Sequence, residues 1–342
     1  MISTTKTILK MNKLKYIVFL LAVLTAISCS KDDDEDEDDD IGNWIQSSTF
    51  DGIARSSASS FIIGNKAYVG TGYDGDDYLN DFWEFNIDGG FWVQKANFPG
   101  SPRSSTSSFS VANFGYMGVG YDGTNEKKDF YKYDPATNTW VQVANFGGNL
   151  RRSAIGFNSD THGYIGCGYD GTNDKKDIWK YNPTLDTWTE VIGFGGNKRR
   201  DAITFKIDNK VYMGTGKSNG VNLRDFWRFD LATDTWTKLR DITVNDDDDN
   251  TDKYAITRSN GVGFTIGGYG YVAVGTPNGG TFEYNPSNDY WTRRTTLEAV
   301  GRQDAVAISN GTRGFVLLGR SGNLYLDDMY EFKPFAEQVD ND

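Results

Sequence analysis

The 342-residue chain carries 47 Asp and Glu against 35 Lys and Arg, a net charge of −12, which excludes bulk attraction to nucleic acid or anionic membranes as its main business. One His and two Cys are too few for zinc or copper ligand sets and leave no Ser-His-Asp set to assemble, so no cofactor or metal is expected. Aromatic residues at 14%, 39 Gly and only 7 Pro suit short strands joined by turns, and no window beyond residue 28 sustains a helical apolar period.

Lys6, Lys10, Lys13 and Lys15 precede an apolar run over 16–27, followed by Ser28 and Cys29. A basic start, a short apolar stretch and a small residue before the cut predict a secretory signal over 1–28. The run is too short to span a bilayer, which needs about 20 residues. The Ala-Ile-Ser-Cys ending resembles a bacterial lipobox, which implies that Cys29 is lipidated and heads the mature chain. Cys29-Ser30-Lys31 followed by acids is also similar to the export signal of surface lipoproteins of Bacteroidetes. That resemblance implies an outer-membrane protein facing the exterior and held to the membrane by its lipid alone. Residues 29–41 otherwise read as an acidic, solvated tether, in which ten extended residues reach at most about 33–36 Å.

From residue 42 the chain repeats. Trp44, Trp92, Trp140, Trp188 and Trp236 are 48 residues apart, and Trp291 follows after 55. A period near 50, with four short strands per unit, predicts the blades of a propeller. In the first unit the strands are expected over 56–63, 66–73, 81–87 and 91–97. Phe61, Phe109, Phe157 and Phe205 coincide in register, as do Asp81, Asp129, Asp177 and Asp225. Paired glycines (Gly70/Gly72, Gly118/Gly120, Gly166/Gly168, Gly214/Gly216) allow close approach near the axis. Cys167 lies between two of them, where a buried, reduced thiol is expected.

A Gly-rich strand, an Asn-Asp-x-aromatic-x-Tyr strand and an Asp-Pro-x-Thr-x-x-Trp turn, the last nearly complete from Tyr133 to Trp140, resemble kelch repeats. The resemblance covers 42–335 and implies an all-β, six-bladed kelch-type β-propeller, with 336–342 as a tail. One departure is that the paired glycines are Gly-x-Gly rather than Gly-Gly. After Trp291 a sixth unit begins at Arg302 and reaches Phe332 without a Trp strand. The missing strand is available at Asn43-Trp44-Ile45-Gln46, so the last blade is expected to be closed by the N-terminal strand, which hides the sheet edges. The fifth unit is irregular. Its entry loop is eleven residues longer and holds Asp246–Asp249 and Asp252, and its segment from Arg258 to Trp291 is four residues shorter.

An Arg heads each unit: Arg55, Arg103, Arg151, Arg199, Arg258 and Arg302. Two roles are open. Six guanidiniums could ring one mouth of the channel as an anion site, or each could pair with its own blade's Asp as a repeated structural bridge. Arg258 stands apart, because the fifth unit has no equivalent Asp. Tyr73, Tyr121 and Tyr169 end the second strand of the first three units, where stacking on a sugar or peptide is weighed against closing the blade. Lys217, Thr276 and Arg320 take that place in the others. His162 falls in a turn on the opposite face, and the Asp246–Asp249 run lacks a recognisable calcium spacing.

The family resemblance adds expectations of its own. Similar arginines in some kelch domains hold acidic peptides, and in sialate mutarotase propellers a carboxylated sugar; the copper-radical oxidases with this propeller need His ligands that are missing here. The expected function is therefore a surface lipoprotein binding a glycan or protein ligand, possibly acidic, at the Arg mouth, with no catalytic residues. The alternatives are a mutarotase or isomerase acting on an acidic sugar such as sialic acid, and a passive scaffold.

Overall fold

A computed structural model describes residues 41–242, 256–277 and 279–339. The signal segment, Cys29, most of the acidic tether, Asp246–Asp249, Asp252 and the last three residues of the tail lie outside these.

The described residues form six four-stranded antiparallel sheets and no helix. Each of blades 1 to 5 has strands a to d in chain order. In blade 1 these are Ser59–Ile63, Lys66–Gly70, Phe82–Asn86 and Phe91–Lys95. The a strands of successive blades lie side by side, and blade 6 returns to blade 1, so strand a is innermost. Strand c alternates poorly in polarity, as in Phe82-Trp83-Glu84-Phe85, because a blade is covered on both faces. The covering is aromatic. Trp140 on strand d of blade 2 meets Phe82 of blade 1 edge-on at 4.9 Å, and Trp188 of blade 3 meets Phe130 of blade 2 at 5.3 Å. The indole N–H of each donates to the preceding blade, Trp140 to Ala96 O and Trp188 to Ala144 O.

Blade 6 has three strands from the C-terminal part, Val306–Ser309, Gly314–Leu317 and Met329–Lys333. Its fourth is Asn43–Gln46, antiparallel to the third with Trp44 opposite Phe332. Trp44 behaves as Trp140 and Trp188 do, since its indole N–H donates to Thr295 O (3.0 Å) on blade 5. The expected closure is therefore present.

Two backbone rings reinforce it. Gly72 N donates to Arg103 O, Gly120 to Arg151, Gly168 to Arg199, Gly216 to Arg258, Gly275 to Arg302 and Gly319 to Arg55, all at 2.7–2.9 Å. Closer to the axis, Ser57 N donates to Asp304 O, Asp304 to Asn260, Asn260 to Asp201, Asp201 to Ser153, Ser153 to Ser105 and Ser105 back to Ser57, at 2.8–3.2 Å. All six inner residues have φ between 52° and 57°. Small polar residues, with Asp and Asn among the types that tolerate this left-handed region, occupy every one of them.

Cys167 is fully buried and unpaired, and burial pushes its thiol up to about 12. It is expected to resist an aromatic disulfide reagent in the native protein and to react only on unfolding, which absorbance of the released thiolate would follow.

Candidate functional site

The six heading arginines do not form an open ring. Arg55, Arg103, Arg151, Arg199, Arg258 and Arg302 are at most 2% exposed, among the largest fully buried side chains of the protein. Each runs inside its blade from the start of strand a toward strand c. Arg151 grips Asp177 with both terminal nitrogens (2.9 and 2.8 Å), and Arg103 grips Asp129 likewise (2.6 and 2.8 Å). Arg55 pairs with Asp81, Arg199 with Asp225 and Arg302 with Asp328. Arg258 has no such carboxylate on strand c. Its guanidinium instead donates to the carbonyls of Val274, Gly279 and Gly280, and burial pulls its pKa down to about 10.

The same side chains explain the Gly-x-Gly pattern. The middle residue (Thr71, Val119, Cys167, Thr215, Val274 or Leu318) has φ between 49° and 62°, a strained conformation for these types. In every blade the heading Arg donates to its carbonyl, as Arg55 does to Thr71 O at 3.1 Å and Arg151 to Cys167 O at 3.0 Å. The following glycine must be glycine. At Gly72, φ is +114° and a Cβ would lie 2.9 Å from Ser56 O and 3.1 Å from Arg55 Cδ. The heading arginines thus hold the kink that ends strand b.

What faces the mouth is the next layer of residues. The position after each heading Arg bridges the end of strand b: Ser56 with Tyr73, Ser104 with Tyr121, Arg152 with Tyr169, Arg200 with Lys217, Ser259 with Thr276 and Gln303 with Arg320. Tyr73, Tyr121 and Tyr169 are half-buried, and Tyr121 and Tyr169 each donate their hydroxyl at 2.9 Å to the Gly two residues on (Gly123 and Gly171), as Tyr73 does to Gly75. Five residues further, the b–c loop of every blade but the fifth sends one side chain to the next blade. Tyr325 packs on Gly75, Tyr78 on Gly123 and Glu126 on Gly171; Asp174 accepts from Asn219 N (2.9 Å), and Asn222 donates to Thr276 O (3.2 Å).

These contacts build a continuous arc from blade 6 to blade 4. Tyr325 meets Tyr73 edge-on (5.9 Å), Tyr73 meets Tyr78 (4.9 Å), and Tyr78 meets Tyr121 edge-on (5.9 Å). Arg152 then lies over both Tyr121 (4.5 Å) and Tyr169 (5.3 Å), and Arg200 also lies over Tyr169 (4.4 Å). The cations of the arc are matched by acids, Arg152 by Glu126 (3.5 Å) and Arg200 by Asp174 (3.4 Å). On the inner ring Lys217 pairs with Asp201 (3.0 Å) and Arg320 with Asp304 (3.1 Å). Burial, with Asp201 nearby, raises the Asp304 pKa in spite of Arg320. Below the arc, the loop carboxylates of Asp122 and Asp170 each accept two backbone N–H groups of their own turns. Slight burial raises their pKa, but Lys127 and Lys175 together with those N–H groups bring both down to about 2, so the turns stay anchored at neutral pH.

The arrangement offers aromatic faces, hydroxyls and paired charges around the axis, and no uncompensated guanidinium ring. The sequence reading found Tyr73, Tyr121 and Tyr169. It missed Tyr78, Tyr325, Arg152 and Arg200, whose signal was a fixed offset: one residue after the heading Arg, or five after the end of strand b. His162 lies in the strand a–b turn of blade 3, on the opposite face. Among the described residues no group of three or more His, Cys, Asp or Glu is placed to hold a metal ion.

Residues 120–147 match the family described as Kelch motif. No curated protein matches the chain. The six blades and this match together make the domain a six-bladed kelch-type propeller, a fold compatible with a binding module.

Proposed function

We propose that this kelch-type propeller is a binding module for a glycan, which it holds on the tyrosine–arginine arc at the mouth. The observation that carries this reading is the arc itself. Half-buried tyrosines at successive ring contacts supply C–H-accepting faces, and the carboxylates, amides and guanidiniums between them supply hydrogen bonds without leaving a net charge to neutralise. A carboxylated ligand gains less here than the open Arg mouth promised. The heading arginines are buried and the mouth cations have acidic partners, so an isomerase acting on an acidic sugar has less to recommend it. The lipobox and acidic tether of the sequence support display on the outer face of the outer membrane.

A glycan array should therefore retain neutral oligosaccharides. Tyr73→Ala and Tyr121→Ala should each lower the affinity by about tenfold with no change in far-ultraviolet circular dichroism. Wild-type binding by both variants would refute the reading. Anomer exchange of sialic acid, followed by NMR, should run at the buffer rate. Labelling with a radioactive fatty acid should vanish in Cys29→Ser, and protease treatment of intact cells should release the propeller.

A further inference from the structure

Beside the arc, blade 1 carries a surface groove of about 500 Å³ floored by Trp83 and lined by Ile53, Tyr78, Leu79, Asn80 and Gln94, with Asp81 beneath the indole and the exposed Asp51 at its edge. Blade 3 carries the equivalent groove, about 370 Å³, exactly two repeats along the chain by residue position, floored by Trp179. In both, the indole is fixed from beneath. Trp83 donates to Asp81 (2.8 Å), which Arg55 holds, and Trp179 donates to Asp177 (2.8 Å), which Arg151 holds. The buried arginines thereby orient a partly exposed aromatic face at the outer end of the mouth.

The two grooves differ in their walls. Where blade 1 has Tyr78, Leu79, Asn80 and Gln94, blade 3 has Asp174, Lys175, Lys176 and Glu190. An indole face with amides at those four places, and Asp51 as the exposed carboxylate at the edge, suits a sugar ring, whose C–H face stacks while its hydroxyls meet the amides and that carboxylate. The groove of blade 3, with charges at all four of those places and Lys198 besides, has more to desolvate for the same occupant. Tyr78 decides the geometry, because it lines the blade 1 groove and is also a member of the mouth arc, in contact with Tyr73 and Tyr121.

We infer that the ligand is a neutral oligosaccharide of several units lying radially along blade 1, with one unit on Tyr73 and Tyr325 near the axis and another on Trp83. This rests on the glycan reading of the mouth and adds to it a second subsite, a direction and a minimum length.

Tryptophan-fluorescence titration of the full-length protein tests it, using gluco-, xylo-, manno- and N-acetylglucosamine series from monosaccharide to hexasaccharide. Affinity is expected to climb with length, and Trp83→Ala to lower it by about tenfold for the longer members while leaving the monosaccharide unchanged. Trp83→Tyr covers the case in which alanine fails to fold. Blades 2 and 6 already carry Tyr131 and Tyr330 at this position, so the variant should fold and bind the longer members more weakly than wild type. Trp179→Ala should bind as wild type. Length-independent affinity, or wild-type binding of the long members by both Trp83 variants, would overturn the subsite while leaving the mouth intact if Tyr73→Ala still weakens every member. Absence of binding across all four series would overturn both.

Discussion

Replacing Trp44 by alanine is expected to destabilise the whole ring by about 3–5 kcal/mol, the range for emptying a large aromatic site in a packed core. Trp44 is 2% exposed, whereas Trp140 and Trp188 at the same blade position are half-buried. It packs on Phe332 of its own blade (4.8 Å) and meets Phe264 of blade 5 edge-on (6.2 Å), and its indole N–H reaches Thr295 O. The alanine variant therefore loses a seal between two blades as well as a side chain within one. Chemical denaturation should show a lower midpoint for Trp44→Ala than for Trp140→Ala. Deleting residues 42–50 should go further, since it uncovers Met329–Lys333 as an open sheet edge, and light scattering should then report association. An unchanged midpoint for Trp44→Ala would contradict the closure.

Asp177→Ala should cost about 3–5 kcal/mol, because it strands a guanidinium that has no access to water. Arg151 is 0% exposed, holds Asp177 through two nitrogens and lies over Phe146 at 4.4 Å. Removing both charges with Arg151→Met and Asp177→Leu together should recover much of the loss, since two well-packed apolar groups need no partner. The pair also shapes the acid limb of stability. Burial pushes the Asp177 pKa up, but the hydrogen bonds and charge of Arg151, aided by the Trp179 indole, bring it below its usual value, and Asp81 behaves the same way beside Arg55. With the folded pKa depressed, the contribution is complete above about pH 4 and is lost as the pH falls through the lower folded value. Melting temperature plotted against pH should therefore fall more steeply on the acid side for wild type than for Asp177→Asn.

The blades were legible in the sequence because they rest on side chains that recur in register. Trp44, Trp92 and Trp140 fill the same wedge, and Asp81, Asp129 and Asp177 receive the same guanidinium. A spacing of 48 residues is enough to see that. The Arg55–Asp81 bridge was one of two readings open in the sequence, and the choice between channel and blade interior rests on the kink at Thr71 and the space left by Gly72. Those are backbone facts, which the residue type at position 55 does not by itself reveal. The inner ring was equally hidden. Ser57, Ser105, Ser153, Asp201, Asn260 and Asp304 are alike only in being small and polar, as many surface residues are, and what unites them is a φ value and a backbone hydrogen bond. The arc was half visible, since Tyr73, Tyr121 and Tyr169 repeat, whereas Tyr78, Glu126 and Asp174 differ at one shared position and so carry no obvious repeat.

The closing strand has a mechanical consequence. Every other strand of the six blades is joined to a sheet neighbour by a turn of the chain, but Asn43–Gln46 is held to Met329–Lys333 by hydrogen bonds and packing alone. Any pull on the chain ahead of residue 41 enters the propeller at that strand. Trp44 is then the fastener through which the load passes into both blade 6 and blade 5, and the force the domain withstands from its N-terminal side rests on that one indole and a ladder of four residue pairs.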